Sequence, residues 1–144
     1  MNAENYMKLE FPARSINEGY ARAAVAAFAA QLDPTLAEIG DIKTAVSEAV
    51  TNAVVHAYPN SIGTILIRGR ILPDSVLELV VKDYGVGIPD VEQARTPMYT
   101  TGGNERSGMG FTIMESFMDT LRVRSTPGRG TSVTMRRKIR HRGA

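Results

Sequence analysis

Four short groups of residues in this 144-residue chain have types and spacing suited to chemistry. Glu48 and Asn52 lie four apart, which sets a carboxylate and an amide side by side on one helix face, next to an apolar stripe of Ile42, Val46, Ala49 and Ala53. Two solvated polar residues at the border of a core would have the same spacing. Asp83-Tyr-Gly85-Val-Gly87 follows an apolar run, so an acceptor-only carboxylate stands beside backbone that a flat ligand can approach closely. The exocyclic amino group of adenine is a donor such a carboxylate can accept, although Asp-Gly segments are also ordinary turns. Gly108-Met109-Gly110, ahead of the helical stretch opened by Phe111, offers free N–H groups and the positive end of a helix dipole to a phosphate. It is neither a Walker A loop nor a dinucleotide fingerprint, because Ile113 stands where the third glycine belongs. Gly130-Thr131 is a turn followed by a hydroxyl at the head of a strand, where it could complement Asp83 at a base.

The elements that must carry these groups can be read from periodicity. Tyr6 to Phe11 alternates and predicts a strand closed by Pro12. Ser15 and Glu18 have capping-box spacing ahead of an Ala-rich helical stretch from Tyr20 through Phe28 to Leu32. Thr35 and Glu38 repeat that spacing before a second helix, with Ile39 added to its stripe, running to about Ala57. A hairpin is predicted from Thr64–Ile71 and Val76–Asp83 around Pro73-Asp74-Ser75. From Tyr84 to Gly110 periodicity disappears, and a connection of this length is usually functional or disordered. A short helix from Phe111 to Met118 precedes two closing strands around Pro127-Gly-Arg-Gly130. The order β-α-α-β-β-loop-α-β-β, with strands joined by short hairpins, predicts an α/β two-layer sandwich: a mixed, largely antiparallel sheet with helices on one face. The chain reads as one domain over residues 1–144.

Bulk composition removes several classes. With no cysteine there is no disulfide scaffold, thiolate metal site or cysteine nucleophile. The longest apolar stretch, Ala23 to Ala30, is far short of the roughly 20 residues of a membrane span, and Met1 to Glu10 lacks the form of a secretory signal. A cytoplasmic protein without a membrane partner is expected. The net charge of +2 hides an asymmetry, because no acid occurs after Asp119, whereas the arginines and Lys138 cluster there. That basic tail is either an electrostatic footprint or a solvated strand face and terminus. No aromatic residue is interleaved for base stacking, so direct nucleic-acid binding is not expected.

Taken in order, Glu48…Asn52, Asp83-x-Gly85-x-Gly87, Gly108-x-Gly110 and Gly130-Thr131 resemble the N, G1, G2 and G3 boxes of the GHKL ATPase/kinase superfamily, over roughly residues 38–135. The resemblance implies the Bergerat ATP-binding fold, with ATP or ADP held between the N-box helix and a lid. It implies that Asp83 and Thr131 read adenine, that Asn52 ligates Mg2+, and that Glu48 activates the attacking hydroxyl or water. An amide oxygen is a hard ligand suited to Mg2+ shared with phosphates, and a carboxylate one helical turn away can take a proton. Gly85, Gly87, Ser107, Gly108, Met109, Gly110 and Phe111 are implied to line the nucleotide, and Thr100, Thr101 and Arg106 to lie where its phosphates arrive. Arg106 would stabilise or sense the transferring charge, unless it is simply a solvated lid residue.

Histidine kinases use a phosphoacceptor histidine on a separate helix pair, whereas the two histidines here, His56 and His141, lie on the N-box helix and in the tail. Gyrase-type relatives are expected to continue into a further domain. Ser47-Glu-Ala-Val-Thr-Asn-Ala53 and Arg106-Ser-Gly-Met-Gly-Phe-Thr-Ile-Met114 resemble the bacterial anti-sigma factor serine kinases, and nearly the whole chain is similar to the sporulation members of that family. The segment His56-Ala57-Tyr58 departs slightly from the family's N-box region and leaves the boxes intact. This resemblance implies a homodimer that binds a sporulation sigma factor in its ATP state and phosphorylates a serine of an anti-anti-sigma protein. A non-catalytic ATP-binding anti-sigma module is the alternative.

Overall fold

The computed structural model describes residues 2–96 and 110–140. Strand β1 (Asn5–Pro12) is followed by helix α1 (Asn17–Ala29), a single 3-10 turn (Ala30–Leu32), and helix α2 (Leu36–Asn52), which a π-helical turn (Ala53–Ala57) prolongs. Strands β2 (Thr64–Leu72) and β3 (Val76–Asp83), the short helices α3 (Val91–Ala94) and α4 (Gly110–Phe117), and strands β4 (Thr120–Thr126) and β5 (Gly130–Lys138) complete the order. The five strands among the described residues form one sheet in the order β1-β2-β3-β5-β4. The expectation of a largely antiparallel sheet with helices on one face stands, and all four pairings are antiparallel.

Strand register decides which side chains meet the helices. The row Leu9, Ile67, Val81, Val133, Val123 runs across the covered face, where Ile67 is fully buried and Val81 and Val133 nearly so. Helix α2 presses Ile42, Ala45, Val46, Ala49 and Val50 into the core this face forms, beside Ala21, Val25 and Phe28 of α1 and Phe111 and Met114 of α4. Gly69, in mid-strand, leaves the space that the Phe28 ring occupies; a Cβ there would sit 3.2 Å from it. Each of these large buried side chains contributes roughly 1.5–3 kcal/mol through removal from water, so the sandwich rests on α2 and β3, the elements that also end in Asn52 and Asp83.

The two capping-box expectations part company. At α2 the box is complete: the Thr35 hydroxyl accepts from Glu38 N at 3.1 Å, and the Glu38 carboxylate accepts from Thr35 N at 2.9 Å. The second oxygen of Glu38 takes Arg140 N at 2.9 Å, which fastens the end of the chain's last strand segment to this helix start. Burial alone would raise the Glu38 pKa, but these backbone donors and the nearby Arg137 charge hold it below the usual value. At α1 the box does not form. Ile16 stands at the cap with no side-chain bond, because Glu18 instead meets Arg22 at 2.9 Å and Ser47 of α2 at 3.0 Å. A tertiary link between the two helices has replaced a local cap. Helix α3 interrupts the stretch read as irregular, started by the Asp90 side chain accepting from Gln93 N at 3.0 Å. Among the described residues, no helix is long and apolar enough to cross a membrane.

Candidate functional site

The covered face changes character at one end of the sheet. The last row across it runs Phe11, Ile65, Asp83, Thr131, Ser125, apolar on β1 and β2 and polar on β3, β5 and β4. Asp83 is only 7% exposed. Its Oδ1 accepts from Gly85 N at 3.0 Å and from Thr131 N at 3.2 Å. Burial pushes its pKa above the usual aspartate value, and the two backbone bonds only partly offset that push. The Thr131 hydroxyl lies 2.8 Å from that of Ser125. Asp83 and Thr131, which the sequence paired only by order in the chain, are therefore direct neighbours across a strand pair.

Two close approaches shape the loop that leaves Asp83. Gly85 packs on the end of the α2 extension, where an added Cβ would lie 2.0 Å from the Ala57 carbonyl, and that carbonyl accepts from Val86 N at 2.9 Å. Gly130, at φ +123°, has Asp83 O only 2.1 Å from where its Cβ would be. Neither position tolerates a side chain without moving backbone. Gly87 faces the Thr126 carbonyl, and Gly128 N donates to Val86 O at 2.8 Å, so the loop is bonded on one side to α2 and on the other to the β4–β5 turn.

Glu48 and Asn52 are half-buried on the helix that this loop touches. Asn52 ends the α-helical part of α2, and its side-chain amide lies against Gly110: a Cβ on that glycine would be 3.0 Å from Nδ2 and 3.1 Å from Oδ1. The amide and the glycine-flanked start of α4 thus meet. Phe111, beside Gly110, is buried in the core and anchors the first turn of α4. Asn52 and Ala57 stand at the two ends of the π-helical turn, which separates the Asp83 end of the site from the amide end. Thr100, Thr101, Arg106, Ser107, Gly108 and Met109 lie outside the described residues.

Two residues of this neighbourhood had no motif to reveal them. The Tyr58 hydroxyl accepts from Tyr84 N at 2.7 Å and donates to Thr64 O at 2.7 Å, tying the segment after Asp83 to the start of β2. Its ring lies against Gly63, where a Cβ would be 2.1 Å away. Ser125 accepts from Ile88 N at 2.6 Å and also touches Gly130 O at 3.1 Å. The only local hint was that Tyr58 and Ser125 flank Gly- and Pro-containing turns; their partners come from distant segments.

No cluster of three or more His, Cys, Asp or Glu that could hold a metal occurs among the described residues. A hard amide oxygen at Asn52 fits a cation that takes most of its ligands from phosphates and water.

Residues 11–137 match the family described as the histidine kinase-like ATPase domain. An anti-sigma F factor of Caldanaerobacter subterraneus subsp. tengcongensis is 58% identical over 140 residues, 96% of this chain and 97% of that protein. One of Geobacillus kaustophilus is 55% identical over 136 residues, 94% of this chain and 93% of that protein. Among solved structures, the RsbU and RsbW domains of a Mycobacterium tuberculosis protein superpose with a TM-score of 0.69 at 20% identity, covering 94% of this chain and 32% of that one. The mycobacterial sensor histidine kinase MprB gives 0.58 at 23% identity, covering 72% of this chain and 74% of that one. The chain belongs to the histidine kinase-like ATPase domain family and, within it, to the family of the anti-sigma F factors.

Proposed function

We propose that this chain is an anti-sigma factor and an ATP-dependent protein-serine kinase, which sequesters a sporulation sigma factor and phosphorylates a serine of an anti-anti-sigma protein. The observation that carries the reading is the meeting of groups far apart in sequence: Asp83 beside Thr131 at one end of the site, and Asn52 against Gly110 at the other. High identity to anti-sigma F factors supports the sigma-factor partner.

In this reading the Asp83 carboxylate accepts from the adenine amino group and Thr131 meets the neighbouring ring nitrogen. The loop through Gly85 and Gly87 lets the base approach backbone. Asn52, with phosphate oxygens, would hold Mg2+, which when bound neutralises charge on the phosphates. The segment containing Thr100, Thr101, Ser107, Gly108, Met109 and Gly110 carries the phosphate contacts, and Arg106 meets charge that develops on the terminal phosphate. Glu48 takes the proton of the partner's serine hydroxyl as its oxygen bonds to the terminal phosphorus and the bond from that phosphorus to the bridging oxygen breaks, releasing ADP. The protein works as a cytoplasmic homodimer of one domain, without a membrane or nucleic-acid partner. The charges of the last strand support that exclusion in part, since Arg136 and Arg137 are held by Glu78 and Asp41.

Glu48→Ala separates the two activities. It should slow phosphate transfer by roughly 10²–10⁴-fold, the usual contribution of a positioned base, while ATP binding and sigma-factor capture persist. Following labelled phosphate alongside sigma pull-down in one mixture decides it. Transfer at the unaltered rate removes Glu48 as the base, and no transfer by the unaltered protein leaves the non-catalytic anti-sigma module as the reading.

A further inference from the structure

We propose that Ser125, which lies outside every box of the nucleotide site, is a positioning residue that sets whether the Thr131 hydroxyl donates or accepts, and thereby the purine preference of the pocket. The inference rests on the reading of Asp83 and Thr131 as the base-recognising pair.

A serine hydroxyl has one hydrogen and two lone pairs. Ile88 N–H occupies one lone pair of Ser125 at 2.6 Å. Gly130 O, 3.1 Å away, can only accept. Thr131 Oγ1, at 2.8 Å, can do either. Only one arrangement satisfies all three contacts: Ser125 gives its hydrogen to Gly130 O, and Thr131 donates to Ser125 and turns lone pairs to the pocket. If Ser125 donates to Thr131 instead, the Thr131 hydrogen is left for a ligand and the contact to Gly130 O loses its hydrogen.

These arrangements suit different bases. Adenine presents an amino donor and a bare ring nitrogen, which match an accepting carboxylate at Asp83 and a donating hydroxyl at Thr131. Hypoxanthine presents a carbonyl and a ring N–H, so it needs Thr131 to accept and sets its carbonyl against the Asp83 carboxylate. Ser125 is held on both sides, by Ile88 of the Asp83 loop and by the β4–β5 strand pair. A ligand therefore cannot rotate Thr131 without also moving the Ser125 hydrogen. With Ser125 in place, adenine obtains the Thr131 hydrogen only at the loss of the Ser125–Gly130 bond, whereas without Ser125 the Thr131 hydroxyl turns freely and adenine bears no such cost.

Calorimetric titration of the full chain with ATP and with inosine triphosphate reads this directly. Ser125→Ala should raise the preference for ATP by about tenfold, the scale of one net hydrogen bond, and Ser125→Thr, which keeps the hydroxyl, should leave it as in the unaltered protein. In a Thr131→Val background, Ser125→Ala should leave the preference unchanged, whereas a general loosening of the loop would lower it in either background. Should Ser125→Ala fail to fold by circular dichroism, Ser125→Cys, close in volume with only a weakly bonding sulfur, takes its place with the same expected rise. An unchanged or lowered preference in the folded variant, or a rise that persists in the Thr131→Val background, overturns the role of Ser125 while the adenine site stands. Absence of ATP binding by the unaltered protein overturns both.

Discussion

Strand β3 carries two buried carboxylates of opposite character. Glu78 is 5% exposed and Asp83 is 7% exposed, and an odd separation of five residues places them on opposite faces of the sheet. Glu78 stands in the row Tyr6, Arg70, Glu78, Arg136, Thr120, on the face away from the helices. Arg70 and Arg136 grip one oxygen each at 2.7 Å. Burial alone would raise its pKa, yet the two guanidinium groups outweigh burial and hold it below the usual range. Asp83 has two backbone N–H donors instead of cations, and its pKa stays raised. A buried charge answered by fixed counter-charges belongs to the scaffold. One answered only by weaker dipoles keeps electrostatic demand that a ligand's donor can meet, and such groups gather at functional sites.

Turning Glu78 into a second Asp83 is the strongest way to sharpen the contrast. Arg70→Ala with Arg136→Ala should destabilise the protein by about 3 kcal/mol, the low end for a broken buried pair because both guanidinium groups reach solvent. The Glu78 carboxyl should then titrate above rather than below the ordinary range, as NMR would record. Denaturant unfolding that is unchanged would show the pairing to be ornamental. Glu78→Gln should cost somewhat less, about 1–2 kcal/mol, through loss of charge-assisted bonds, with ATP affinity unaltered.

The pH dependences should run in opposite senses. Because the folded pKa of Glu78 is depressed, its stabilisation is fully present above the unfolded value and is lost as pH falls through the folded one. Because that of Asp83 is raised, keeping it ionised costs stability at neutral pH, and this cost disappears as pH falls through its folded value. ATP affinity, which uses the ionised form, should begin to fall at a pH above the ordinary aspartate range. Titrations between neutral and acid pH check this, and a decline only within the ordinary range would place Asp83 outside the binding step.

Local pattern made much of this legible. The apolar run of Val76–Asp83 after the Pro73-Asp74-Ser75 turn marks β3 with the bounds observed, and Thr35 with Glu38 marks the start of α2 correctly. Asp83, Thr131 and Asn52 could be singled out because their neighbours in sequence form boxes. Glu78 could not: an acid within an apolar strand says nothing of arginines that arrive from β2 and β5 by register. Ser125 and Tyr58 were hidden for the same reason, since each acts through partners set by strand pairing and loop path. The Ser15–Glu18 pattern misled because Arg22 and Ser47 offered Glu18 a charged and a tertiary partner in place of a local backbone donor.

The account turns on Asp83 as the carboxylate that reads adenine, and calorimetric titration of ATP into the unaltered protein, Asp83→Asn and Glu78→Gln tests it most directly. The unaltered protein and Glu78→Gln should bind ATP alike. Asp83→Asn, whose amide can turn a donor toward the adenine amino group, should lose about 1–3 kcal/mol of binding while remaining folded. Equal affinity in all three, or a loss at Glu78 as large as at Asp83, would contradict the assignment.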